Sequence, residues 1–530
     1  MDVRTIDVKQ EGTAFQHVWS KCISGGRANE GLRKDWQDQL QMAVDECGFE
    51  YIRFHGLLCD DMGVYHRQNG KEWYCFTYID QLFDRLLEIG IRPVVEFGFT
   101  PDDMARGDER QFWWKGNVSL PENMQLWEAL VEALVNHWIE RYGKEEVLKW
   151  YFEVWNEPNL RPFFHGTKSE YFELYKTTVN AIKKINENLP VGGPATSNFV
   201  PDERFAGEIE DVSCHATHKV EDIDTLEWKG VWIEDFLAYC EAEKLPVDFV
   251  STHPYPTDFA LDGHGDSLEG AEMKGRSRHA TSTCEDLTWL NNALEKSIYA
   301  GAEIILTEWS SSPTSRDYSH DYLPVASYIV KNNVECIGLT DALSYWVFTD
   351  IFEEAGPGPE LFHGGFGLLN MKGMKKPAYH AYRMLHTLGN QLIEKNDNMI
   401  MTKDENGKLC GLIWHYPEEC VQAVPISEYP DYTKAEQIQA LGSNKNIVCR
   451  YSGFQPNEVV NLEILDKTHG NVTTCWKEMS YPKNPTRKQE EALHMYANGF
   501  KYEKVMADEN GQLELELSIE PWTVIRVYTD

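Results

Sequence analysis

The chain has 530 residues, 42% hydrophobic and 25% charged, an ordinary globular balance in a length that exceeds one average domain. A formal net charge of −35 argues against nucleic acid or an anionic membrane as partner, and no run approaches the ~18 consecutive apolar residues of a membrane span. The cysteines form no Cys-x-x-Cys pair, no His/Cys cluster has zinc-site spacing, and the first residues lack a basic region ahead of an apolar core. We therefore expect reduced thiols, a cytoplasmic location, and neither metal nor cofactor.

In chain order, Arg4–Val8 reads as a strand that joins a distant C-terminal sheet. Short apolar strands then alternate with amphipathic helices, the pattern of a parallel sheet with crossover helices. Strands are expected over Gln16–Lys21, Tyr51–His55, Arg92–Phe97, Trp150–Asn156, Pro190–Gly193, Val247–His253, Glu303–Glu308 and Asp341–Phe348. Tyr78, Ile79, Leu82, Phe83, Leu86 and Leu87 recur at helical spacing before Gly90, and Leu126 to Trp138 do so before Gly143. Eight such units in this length predict a TIM (β/α)8 barrel, here over residues 12–355. A helix over Pro377–Leu388 follows, then strands over Met399–Thr402, Leu409–His415, Val459–Leu465, Leu513–Ile519 and Thr523–Tyr528, with Asn406-Gly407 and Asn510-Gly511 as hairpin turns. Residues 356–530 thus read as an antiparallel β-sandwich with some helix, which residues 1–11 join as an extra strand.

Two strands end in a carboxylate beside aromatic residues: WYFEVWNEP carries Glu157, and EIILTEW carries Glu308. Desolvating a carboxylate costs several kcal/mol unless hydrogen bonds or function compensate. Barrel enzymes gather catalytic groups at the carboxyl ends of strands, and two carboxylates flanking a glycosidic bond are the minimum for glycoside hydrolysis. Other strand ends supply His55, His253, Tyr255 and Trp346. Taken singly, each is as readily a core or loop residue; together at one end of a barrel they suit a sugar site. Asn156 can hydrogen-bond the sugar 2-hydroxyl, and Pro158 is expected to hold Glu157 in extended backbone. Trp309 and Trp346 offer flat apolar faces. Phe112, Trp113 and Trp114, after the third strand, can close one side of a pocket, and Glu353 or Glu354 can accept from ring hydroxyls.

The blocks RFHGLLCDDMGVY (Arg53–Tyr65), FTYIDQLFDRLLEIGIRPVVEFGF (Phe76–Phe99), VLKWYFEVWNEPNL (Val147–Leu160) and VDFVSTHPY (Val247–Tyr255) resemble glycoside hydrolase family 39, in particular its bacterial β-xylosidases. So do ILTEWSSSP (Ile305–Pro313), SYWVFTDIFEE (Ser344–Glu354) and FHGGFGLLN (Phe362–Asn370). The resemblance implies that Glu157 is the acid/base and Glu308 the nucleophile of a retaining exo-hydrolase that releases xylose from short β-xylooligosaccharides. It also implies a homo-oligomer, commonly a tetramer. The chain departs from the pattern at Trp309, where tyrosine is usual, and in the runs 200–231 and 258–285. Other neutral glycosides (α-L-arabinoside, β-glucoside, β-galactoside) stand second, an iduronide third, and a non-catalytic sugar-binding barrel is the rival of a different class.

Overall fold

The computed structural model describes residues 2–199, 227–230, 232–257 and 277–530. Eight parallel strands form a closed barrel: β1 (Cys22–Arg27), β2 (Tyr51–His55), β3 (Arg92–Phe97), β4 (Tyr151–Val154), β5 (Val191–Ser197), β6 (Phe249–His253), β7 (Glu303–Trp309) and β8 (Ala342–Tyr345). Each pairs with the next, and β8 closes on β1 through Tyr345 and Ile23. The helices that follow the strands are α1 (Lys34–Cys47), α2 (Thr77–Ile89), α3 (Met124–Tyr142), α4 (Lys168–Ile185), α5 (Ile233–Glu243), α6 (Ser282–Glu295), α7 (Pro324–Glu335) and α8 (Pro377–His386). Local chemistry sets their ends. The α2 stripe of Ile79, Leu82, Phe83 and Leu86 is buried, and Gly90, at φ +95°, stops the helix by donating to the carbonyls of Leu86 and Leu87. Thr167 and Glu170 form a reciprocal capping box at the start of α4.

The first strand lies later than expected. Val18 and Trp19, which suggested a strand over Gln16–Lys21, are buried in the core outside the barrel wall, and the strand itself is Cys22–Arg27. Its Gly25-Gly26 pair hid it, since glycine reads as a strand breaker. Both are needed sterically: a Cβ on Gly26 would lie 2.3 Å from Glu30 Oε2, and one on Gly25 would lie 3.0 Å from the Trp36 ring. The fifth strand runs on to Ser197, with a register break between Pro194 and Thr196. Helix α8, beyond residue 355, packs against α1 and α7 and fills the last place in the ring of helices.

The C-terminal part is two sheets. One has seven strands in the order Thr13–Ala14, Gln391–Asn396, Met399–Lys403, Leu409–Trp414, Val524–Thr529, Val459–Leu465 and Lys501–Met506, all pairs antiparallel. The other has Asp2–Asp7, Lys445–Ser452 and Leu513–Ile519. Ile6, Met401, Ile413, Cys449, Leu462 and Val527 share the core between them. The amino-terminal strand pairs with Lys445–Ser452, Arg4 opposite Cys449, in parallel rather than antiparallel fashion. Asn406-Gly407 joins the paired strands Met399–Lys403 and Leu409–Trp414, as a hairpin turn should. Asn510-Gly511 does not: Lys501–Met506 and Leu513–Ile519 belong to different sheets, so this turn carries the chain across the sandwich. Among the described residues no helix is long and apolar enough to cross a membrane.

Candidate active site

Side chains alternate across a strand, so every second residue points into the barrel. Cys22, Val94, Phe249, Ile305 and Ala342, with Tyr51 and Tyr151, form an apolar floor at the amino-terminal end. Two residues further along, the same strands carry Arg53, Glu96, Glu153 and Thr307, all buried. This second layer is charged, and Arg53 ties it together. Its Nε donates to Glu153 Oε2 at 2.9 Å, Nη2 to Asn156 Oδ1 at 2.8 Å and Nη1 to Glu308 Oε1 at 2.5 Å, while Nη2 lies 2.9 Å from Glu96 Oε2. Above it sit His55, His253 and the two carboxylates. His55 Nδ1 is 2.6 Å from Glu96 Oε2, and its Nε2 is 3.4 Å from Glu308 Oε1.

Glu308 follows the inward Thr307, and strict alternation would turn it out of the barrel. The β7–β8 register shifts between Leu306 and Trp309. Such an irregularity re-aims a side chain. Glu308 is thereby turned into the pocket, where Tyr255 donates to its Oε2 at 2.9 Å. Trp309 is turned out instead. It is wholly buried, stacks on Tyr328 of α7 with ring centroids 5.7 Å apart, and hydrogen-bonds Thr283 of α6. It therefore offers no face to a sugar, contrary to the expectation from sequence.

Glu157 is held differently. Trp155 and Glu157 both adopt left-handed backbone, φ +70° and +45°. The extended conformation expected ahead of Pro158 is absent, because tertiary contacts override the local preference. Trp155 Nε1 donates to the Phe163 carbonyl and the ring is buried against Phe99, Trp127 and Phe164, while the Glu157 N–H donates to the Ala195 carbonyl at 2.8 Å. Left-handed backbone at non-glycine residues costs about 1–3 kcal/mol each and persists only where the surroundings fix it.

Oxygens of Glu157 and Glu308 and Nδ1 of His253 all lie within 4.8 Å of one another. Among the described residues this is the one group of three potential metal donors, but its atoms are already engaged: His253 Nδ1 is 2.9 Å from Glu157 Oε1, and Glu308 is bound by Arg53 and Tyr255. Burial and then the Glu308 charge push the Glu157 pKa well above the usual carboxylate range. Burial raises Glu308 too, but Arg53, His55 and the Tyr255 hydroxyl oppose it. Of the two, Glu157 is therefore the one that holds a proton more strongly. His253, wholly buried beside Arg53 and His55, is held well below the ordinary histidine range and is neutral.

Trp346 packs on His55 at 4.7 Å between centroids, with the Arg53 guanidinium 5.9 Å from its ring. Phe112 also stacks on His55, at 5.8 Å. Trp113 is 58% exposed, and its backbone N–H donates to the Glu354 backbone carbonyl, joining the loops after β3 and β8. The two neighbouring acids divide. Glu354 Oε1 lies 3.6 Å from His55 Nε2, and burial with the Glu308 charge pushes its pKa well up. Glu353 turns to Arg27 and Arg33, at 3.0 and 3.4 Å, and serves as an ion-pair partner. Of the runs 200–231 and 258–285, singled out as departures, residues 200–226, 231 and 258–276 lie outside the described residues.

Arg53, Glu96, Glu153 and Thr307 were not singled out from sequence. The signal was there: in YIRFH, RPVVEF and YFEV a charge occupies the same period-2 position as the apolar floor residue two before it.

The model of glycosyl hydrolases family 39 matches residues 2–219 and 226–514. A β-xylosidase of Caldicellulosiruptor saccharolyticus is 36% identical over 528 residues, covering 99% of this chain and 97% of that protein. One of Geobacillus stearothermophilus is 33% identical over 93% of this chain and 88% of its own length. The crystal structure of a monomeric β-xylosidase from Caulobacter crescentus CB15 superposes with a TM-score of 0.83 at 30% identity, covering 100% of this chain and 99% of that one. With the match spanning both the barrel and the sandwich, the chain belongs to glycosyl hydrolases family 39 and is a glycoside hydrolase.

Proposed function

We propose that the chain is a retaining, exo-acting β-xylosidase in which Glu308 is the nucleophile and Glu157 the acid/base. The observation that carries this reading is the closeness of the two carboxylates, one oxygen of each lying within 4.8 Å of one of the other, together with their opposite surroundings. Retaining hydrolases hold the pair about 5–5.5 Å apart, whereas inverting ones need roughly 6.5–9.5 Å to admit a water. Glu308, ion-paired to Arg53 and hydrogen-bonded by Tyr255, is kept as the carboxylate that attacks the anomeric carbon. Glu157 keeps its proton and delivers it to the glycosidic oxygen as the carbon–oxygen bond breaks. In the second half Glu157, now a carboxylate, takes a proton from water as that water attacks the anomeric carbon and releases Glu308.

The names of the full-length relatives, both β-xylosidases, support xylose as the glycone. A neutral sugar also suits the charges. Arg53 and Arg27 are each already bound by carboxylates, and Glu354 adds a further acid, so among the described residues a uronide carboxylate would meet acids next to cations that are already paired. Phe112, Trp346 and His55 pack together into an aromatic wall that supports a blind, exo-type pocket. Incubation with xylobiose, with the first product followed by proton NMR, tests the reading. We expect β-xylose to appear before mutarotation; α-xylose first, or no turnover of any β-xyloside, overturns it.

A further inference from the structure

The hydrogen-bond polarity around His253 can be assigned from one end of a chain of contacts. Glu153 receives Arg53 Nε on one oxygen, and its other oxygen, Oε1, accepts the Thr307 hydroxyl at 2.7 Å. A hydroxyl has one proton to give. Having donated it to Glu153, Thr307 Oγ1 must accept at its contact with His253 Nε2, 3.0 Å away. Nε2 therefore carries the imidazole hydrogen. Because the buried ring is neutral, Nδ1 is left with a lone pair, and that lone pair faces Glu157 Oε1 at 2.9 Å. The contact bonds only if Glu157 is the donor.

We propose that Thr307 and Glu153 are positioning residues that lock His253 in the Nε2–H tautomer, so that its Nδ1 accepts the acid proton of Glu157 and holds Glu157 in the acid form between turnovers. This rests on the reading of Glu157 as the acid/base. A hydrogen bond to the neutral form of an acid raises its pKa, and two lone pairs face each other once the proton leaves. The arrangement thus favours reprotonation of Glu157 by the water of the second half-reaction. In that step the water oxygen bonds the anomeric carbon, the bond to Glu308 breaks with its electron pair returning to the carboxylate, and the water proton goes to Glu157. Thr307, Glu153 and His253 end each cycle with the protons they began with.

Glu157 also feels Glu308, Arg53, Glu96, the Ser197 hydroxyl, Tyr255 and Glu354. All of these stay in place when Thr307 is changed, so a difference between variants isolates the relay. Thr307→Val removes the hydroxyl at constant shape and frees His253 to take the Nδ1–H tautomer, which would instead stabilise the Glu157 carboxylate. The alkaline limb of the kcat/KM profile should move down by about one pH unit or more, a tenfold change in acid fraction per unit. Thr307→Ser, which restores the hydroxyl, should return the limb to its original position. If Thr307→Val lowers activity equally at every pH and leaves the limb unmoved, the role is merely structural and the relay is overturned. Nitrogen-15 NMR of the unsubstituted enzyme gives a second readout that needs no change at Thr307, the His253 signal being assigned by its loss in His253→Gln. It should show a protonated Nε2 and a bare Nδ1; a protonated Nδ1 overturns the proposal. If Glu157→Ala keeps the alkaline limb, the acid/base reading itself fails, which is distinct from a failure of the relay alone.

Discussion

Arg53 on β2 and Glu308 on β7 meet across the barrel, with Nη1 of the guanidinium 2.5 Å from Oε1 of the carboxylate. Both are buried, and the same guanidinium also holds Glu153, Glu96 and Asn156. One cation on β2 thereby sets the positions of groups from β3, β4 and the residues after it, and β7. Arg53→Lys keeps a charge but loses the planar fork that reaches several partners at once. We expect kcat/KM to fall by about 10²–10³-fold, the loss typical of removing one aligned electrostatic partner. Arg53→Ala should also destabilise by roughly 3–5 kcal/mol, since it leaves buried carboxylates unpaired. Steady-state kinetics and denaturant melts of both variants check this; an Arg53→Lys enzyme with unchanged kcat/KM would remove Arg53 from the mechanism.

Azide should separate the two carboxylates. Glu157→Ala is expected to lose about 10²–10⁴-fold on substrates with poor leaving groups and much less on activated aryl glycosides, because only the former need protonation. Added azide should then yield the β-glycosyl azide from Glu157→Ala and, from Glu308→Ala, the α-anomer by direct displacement. Product NMR distinguishes them, and reversed anomers would exchange the assigned roles.

The pH profile follows from the directions of the shifts. Glu308 must be ionised, so activity appears as pH rises through its pKa; Glu157 must be protonated, so activity is lost as pH rises through the higher Glu157 value. Burial and the Glu308 charge place that alkaline limb well above the ordinary glutamate range. A kcat/KM profile whose alkaline limb falls near pH 4.5, and so at an unshifted carboxyl, would contradict the arrangement.

Glu30 gives a stability prediction independent of catalysis. It is buried beside Arg27, and desolvation pushes its pKa from 4.5 to about 8. A carboxyl whose folded pKa is raised binds its proton more tightly in the native state, so its stabilisation is complete below the unfolded value and is lost as pH rises towards the folded one. Between pH 4.5 and 8 this one group should lower stability by up to about 1.4 kcal/mol per pH unit. Glu30→Gln should flatten the slope in urea melts taken across that window; an unchanged slope means that the carboxyl does not titrate there.

Trp309 and Trp346 should behave oppositely on substitution. Trp309 is core, so Trp309→Ala is expected to cost about 3–5 kcal/mol of stability while leaving the ratio of kcat/KM for β-xyloside and β-glucoside unchanged. Trp346 packs directly on His55, whose Nε2 is 3.4 Å from Glu308, and Trp346→Ala should alter KM and that ratio. A changed sugar preference in Trp309→Ala would show that its ring reaches the substrate after all.

The sequence by itself determined the architecture, because period-2 strands and period-3.6 helices record which faces are buried regardless of where the partners lie. It also marked the carboxylates and the His253–Tyr255 strand end, since a polar group that closes an apolar strand stands out against its neighbours. The first strand escaped because Gly25-Gly26 answers to Glu30 and the Trp36 ring, contacts that local propensity does not encode. Trp309 was misplaced, and Glu308 explained, by one register shift, which reverses the direction of a side chain without leaving a trace in composition. The left-handed backbone at Trp155 and Glu157, the division between Glu353 and Glu354, and the proton polarity from Arg53 to His253 were decided only by tertiary structure. Each depends on which atoms from distant strands come within hydrogen-bond reach, and that is fixed by barrel closure rather than by any residue alone.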